Sequence, residues 1–121
     1  MNSKLPDING YKNRLDIIEK VVTQLEKDLD LNFAIKLSND PDLAYNELFT
    51  QTLPIIKNLA NEPLFSFRQL MYRIDVSENK IAEAFNSESN KSEFEIYTHL
   101  IIERELQKVV TRLFFSQTLE S

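Results

Sequence analysis

The sequence predicts an all-α fold, an antiparallel bundle of four main helices in one domain spanning residues 1–121. Three observations carry this prediction. Glycine occurs once in 121 residues, at Gly10, whereas β-rich and nucleotide-binding α/β folds use many glycines for tight turns and phosphate-cradling loops. Apolar residues recur at three- and four-residue spacing through most of the chain. The polar breaks between these runs are short, which favours antiparallel neighbours.

The first helix is expected over residues 11–37, after a flexible N-terminus at residues 1–9. Tyr11, Leu15, Ile18, Val22, Leu25 and Leu29 repeat at 4-3-4-3-4, and Ile17 and Val21 widen the stripe to the breadth a bundle needs. Leu31, Phe33, Ile35 and Leu37 alternate with period two, as a strand would. A single strand has no partner in this chain, so the helix is extended through them.

The second helix is expected at 41–60. Asp40 suits an N-cap and Pro41 the first helical position. Pro54 lies inside this helix and predicts a kink. The third is expected at 64–86, broken near Asp75–Ser77, with Ser77 as a cap for its second part. Residues 86–92 are polar and read as a loop. Ser92 and Glu95 form a capping-box pattern before the last helix, expected at 93–117 with a flexible end at 118–121.

That last helix is apolar on two sides. Ile102, Leu106, Val109 and Leu113 make one stripe; Phe94, Tyr97, Ile101 and Phe115 fall on another. A helix of this kind is either central in a bundle or meets a second chain. The pattern therefore nominates Phe94, Tyr97, Ile101 and Phe115 as partner-binding, in a homodimer or against another protein. Arg104, Lys108 and Arg112 recur at i, i+4, i+8 and add a basic stripe suited to an acidic surface, unless it is simply a solvated face.

Composition narrows the function classes. The chain has 42% hydrophobic and 27% charged residues, an ordinary globular balance. It has no cysteine, which removes disulfides, thiolate metal sites and a cysteine nucleophile, and fits a cytoplasmic location. No apolar run serves as a signal peptide or a membrane span. The net charge of −5 is spread along the chain and disfavours phosphate backbones and anionic lipid.

Two local patterns suggest chemistry. Leu70-Met71, Ile74, Val76-Ser77 and Ile81 place apolar residues around a tight turn with a capping serine. This stretch resembles the helix-turn-helix of DNA-binding transcriptional regulators, which implies DNA reading by residues 64–86. It departs from that motif at Asp75, where glycine is usual, and at Met71, where a small alanine is usual. The charges Glu78, Lys80 and Glu83 on the second helix oppose a phosphate-lined groove.

His99 is the only histidine. Glu95 and Glu103 flank it at i−4 and i+4, a weak metal-ligand set that would centre a metal-dependent enzyme. A bundle di-metal site needs a second Glu/His pair, and there is none. A histidine packed at a helix contact accounts for the same residues. The reading adopted is a non-catalytic interaction or assembly module with no cofactor, no catalytic residue and a protein partner.

Overall fold

The computed structural model describes the backbone of residues 7–120 and the side chains through Ser116. A short 3-10 turn at Ile8–Tyr11 precedes five helices: α1, Leu15–Asp28; α2, Ala44–Leu59; α3, Phe67–Ile74; α4, Glu78–Ser87; and α5, Glu93–Glu120. No strand occurs among the described residues. The all-helical class holds, with a fifth helix because the third expected helix divides at its predicted break. The expected flexible ends fall partly outside the described residues, at 1–6 and 121. Residues 8 and 9 belong to the 3-10 turn, whose Asp7 cap accepts a hydrogen bond from the Asn9 N–H at 3.0 Å.

The frame is organised around α5. The 3-10 turn and α1 to α4 all pack against it, and α1 and α2 also meet each other. Its buried residues are Ile96, Thr98, Ile101, Ile102, Glu105, Leu106, Val109 and Val110. From Ile101 to Val110 these positions cover an arc of roughly 180°, counting about 100° per residue, and Ile96 extends it further. The two apolar sides of the sequence are therefore one broad buried surface. Ile101, nominated for partner binding, is fully buried inside this chain.

The first helix is shorter than expected at both ends. Its C-terminus closes in a Schellman arrangement: the Leu31 N–H reaches the Glu26 carbonyl at 2.9 Å and the Asp30 N–H the Lys27 carbonyl at 3.2 Å. Asp30 sits at φ 54°, in the left-handed region. Residues 31–40 are then not helical. The period-two alternation had a physical basis, because neighbouring side chains take the place of a partner strand. Glu26 accepts from the Ile35 N–H at 2.8 Å, Gln51 binds both the N–H and the carbonyl of Lys36, and Glu47 accepts from the Ser38 N–H at 3.0 Å. Ile35 is buried by this arrangement while Phe33 points outward.

Asp40 caps a turn, not α2 itself. Its carboxylate accepts from the Asp42 N–H at 3.0 Å and its carbonyl from the Leu43 N–H at 3.1 Å, and the helix begins at Ala44. Helix α2 runs through Pro54. Thr50 and Pro54 are both exposed, so water can satisfy the Thr50 carbonyl that proline leaves without a donor. The break between α3 and α4 repeats the Schellman geometry: Val76 N–H to Met71 carbonyl at 2.9 Å, Asp75 N–H to Tyr72 carbonyl at 3.1 Å, and Asp75 at φ 74°. Ser77 then caps α4 through the Lys80 N–H at 3.1 Å. The capping box of α5 is formed in both directions, Ser92 N–H to Glu95 at 2.9 Å and Glu95 N–H to Ser92 Oγ at 3.1 Å.

The left-handed positions fall on Asp30, Asn39 and Asp75, in a chain whose one glycine has no such role. Asp and Asn tolerate this region better than other side chains, but glycine tolerates it best. Asp30→Gly should raise stability by up to about 1 kcal/mol, and Asp30→Val should lower it by about 1–2 kcal/mol. Urea denaturation midpoints of the two variants check this; a destabilised glycine variant would mean that the Asp30 side chain contributes a bond of its own.

Candidate functional site

Three places gather polar or exposed side chains: the cleft beside His99, the ionic cluster between α1 and α5, and the far end of α5.

His99 is half-buried, its ring centroid 4.4 Å from that of Phe49. It lines a cleft of about 400 Å³ between α4 and α5, with Lys80, Glu83, Glu88, Lys91 and Glu103 around the rim. Burial pushes the imidazole below its ordinary 6.5; the Lys91 and Lys12 charges act in the same direction, against Glu103 and Glu88. The sequence-nominated metal set does not converge. Glu95 is engaged by Ser92 at the helix start, and Glu103 pairs with Lys12 Nζ at 3.2 Å. Among the described residues no group of three or more His, Asp or Glu is placed to hold a metal ion.

The other nominated residues are mostly used inside the chain. Phe94 and Tyr97 join an aromatic cluster that binds the start of α3 and the end of α4 to the start of α5. The Phe67 and Tyr97 rings stack at 3.9 Å, Phe65 meets Phe67 edge-on at 4.8 Å, and Phe85 meets Tyr97 at 5.3 Å. Two residues of the basic stripe, Arg104 and Lys108, are half-buried, and Arg112 is exposed. Arg104 binds Asp75 at 3.0 Å and so fastens the α3–α4 turn. Arg112 reaches Gln24 Oε1 at 3.4 Å. Lys108 lies between Asp28 and Glu105, at 3.3 and 3.1 Å.

Glu105 was not singled out in the sequence, yet it is fully buried. Apart from the Lys108 ammonium, no donor reaches either of its oxygens. The Lys108 ammonium, with three N–H groups to offer, lies 3.1 Å from Glu105 Oε1 and 3.3 Å from Asp28 Oδ2. Gln24 Nε2 donates to both Asp28 oxygens at 3.1 Å, and the Arg73 guanidinium of α3 holds the Asp28 carbonyl at 3.0 Å. Burial raises the Glu105 carboxyl to about 8; the neighbouring Asp28 carboxyl adds to the rise and the Lys108 ammonium opposes it. Burial also pushes Asp28 up, but the neighbouring Glu105 carboxyl, the Gln24 amide and the Lys108 ammonium outweigh it and hold Asp28 below the usual carboxylate range.

At the far end of α5, burial stops. Leu113 is half-buried and Phe114, Phe115 and Ser116 are exposed. The two phenylalanine rings meet edge-to-face with centroids 5.5 Å apart and are 46% and 48% exposed. Length explains this. Twenty-eight residues make α5 about 42 Å long, against about 24 Å for α2 and about 21 Å for α1. Of the seven nominated partner residues, Phe115 is the exposed apolar one.

The helix-turn-helix segment is a real pair of helices joined by Asp75-Val76-Ser77. Leu70, Met71, Ile74 and Val76 pack inward, while Glu78, Lys80 and Glu83 face outward. A groove of about 650 Å³ runs between α3 and α4, bordered by Arg68 and the exposed Tyr72. No helix among the described residues is long and apolar enough to cross a membrane. No family model, curated protein or solved structure matches the chain.

As the only histidine, His99 gives an unambiguous readout. Its proton NMR titration should have a midpoint below 6.5. The unfolded chain then binds this proton more readily than the folded one. The contribution to stability is thus present above pH 6.5 and declines as pH falls toward the folded midpoint. His99→Gln should remove that part of the acid sensitivity; a midpoint at or above 6.5 would contradict the desolvated position.

Proposed function

We propose that this chain is a non-catalytic, cytoplasmic interaction or assembly module that self-associates through the end of α5. The observation that carries the reading is the Phe114–Phe115 pair, adjacent and half-exposed where α5 outruns the helices that cover it. Paired aromatics are a large apolar payload with fixed geometry, and they are enriched at the centres of interfaces. Applied about a two-fold axis, the same patch meets itself, which is the commonest way for identical chains to associate.

Area sets the expected strength. Phe side chains bury about 150–250 Å² each, and a stable interface needs about 800 Å² per partner. The aromatic pair supplies the centre of a contact and not its whole extent, so a weak, concentration-dependent dimer is expected. Phe115→Glu would place a charge in its apolar middle and should return the protein to monomer. Sedimentation equilibrium over the micromolar range reads both species. A wild-type monomer at every concentration would reject self-association and leave a different protein as partner.

The compact α3–α4 turn supports a second reading, DNA recognition by residues 64–86. The acidic outer face of α4 weighs against it, and a sequence-specific complex is expected to be absent in a gel shift at about 150 mM salt. A complex that survives there would reverse the order of the two readings.

A further inference from the structure

We propose that Glu105 and Asp28 hold one proton between them, and that this shared proton is a pH-dependent latch seating α1 on α5. Burial and the count of charges point to a proton here. Two carboxyl groups, one fully buried, share a single ammonium, with Lys108 Nζ 3.3 Å from Asp28 and 3.1 Å from Glu105. Apart from the Lys108 ammonium, no N–H or O–H of another residue reaches either Glu105 oxygen. Asp28, in contrast, receives Gln24 on both oxygens and Lys108 on one. Asp28 is thereby the ionised partner and acceptor, and Glu105 the neutral partner that donates.

Charge balance leads to the same assignment. With Glu105 neutral, Asp28 and Lys108 cancel. With Glu105 ionised, two carboxylates face one ammonium in a site poor in water, and such a site neutralises a group before it tolerates an unpaired charge. Arg73 approaches only the Asp28 carbonyl, Arg112 bonds to Gln24, and Arg104 is committed to Asp75. No further cation bonds to the Glu105 carboxylate, so its ionisation is relieved if the end of α1 that carries Asp28 moves away from α5.

The sign follows from linkage. The folded state holds the Glu105 proton more tightly than the unfolded chain does. The stability it confers is complete below the ordinary carboxylate value of 4.5 and is lost as pH rises through about 8. Above that midpoint, opening of α1 should grow by about tenfold per pH unit. The low position of Asp28 adds an opposite loss in strong acid, since that carboxylate must be ionised to accept.

Two measurements on the full chain test the latch. Infrared spectra at pH 7 should contain the carbonyl band of one protonated carboxyl in the wild type. The band should be missing in Glu105→Gln, which keeps the shape and the donor. It should also be missing in Asp28→Asn, where Lys108 is left with Glu105 as the one carboxylate to neutralise. Hydrogen exchange, corrected for the chemical rate, should show α1 losing protection relative to α2 above pH 8 in the wild type and not in Glu105→Gln. The latch is overturned by a wild type without the band, by a band that survives in Glu105→Gln, or by the same α1 opening with pH in both proteins.

Discussion

Everything in this molecule follows from one helix being covered on more than half its circumference. An amphipathic surface helix can leave its polar residues in water. Helix α5 has little wet side along its buried length, so its polar residues must be satisfied from within. Thr98 does this alone, returning its hydroxyl to the Phe94 carbonyl at 2.7 Å. Glu105 cannot, and the chain surrounds it with Lys108 from its own helix and Asp28 from α1. The basic residues on the remaining flank likewise reach outward to fasten other elements: Arg104 to the α3–α4 turn and Arg112 to α1. The central helix organises the electrostatics as well as the packing.

What the sequence disclosed is what local chemistry controls. The break at Asp75–Ser77, the Ser77 cap and the Ser92–Glu95 box are signals within a few residues, and each formed as read. The stretch after α1 was misread for the opposite reason. Its alternation is visible in the sequence, but a strand-like segment without a partner strand has nowhere to place its backbone hydrogen bonds. The partners are the side chains of Glu26, Glu47 and Gln51, and nothing in residues 31–38 announces them. The early end of α1 was hidden too, because Asp30 occupies a left-handed position where glycine would have marked the stop.

The candidate site was legible in part and by the wrong route. Two-sided apolarity suggested either a central helix or a second chain, and the burial of Ile101 and Ile102 together favours the central helix for most of α5. The argument for association survives only where the helix is longer than its cover, at Phe114 and Phe115. Helix length relative to neighbours is a tertiary quantity, so it could not be weighed from spacing alone. Arg104, Lys108 and Arg112 illustrate the same limit. A charged stripe looks identical in sequence whether it faces water or residues 29 to 88 positions away.

The buried cluster also bears on why such a site is tolerated at all. Exchanging a complete buried ionic group for apolar residues is often neutral or stabilising, whereas removing one member strands the others. A hydrophobic residue at position 105 would remove the proton donor but leave Asp28 and Lys108 partly buried with one bond fewer. Escape from the arrangement therefore requires changes on both α1 and α5 together. Meanwhile the cluster favours the alignment seen here, since a slide of α1 along α5 would part Asp28 from Lys108 and Gln24 from Arg112. Leucine and isoleucine stripes pack acceptably in several registers. The polar cluster adds selectivity to a core whose apolar contacts alone would be more permissive, and it places that selectivity on a proton.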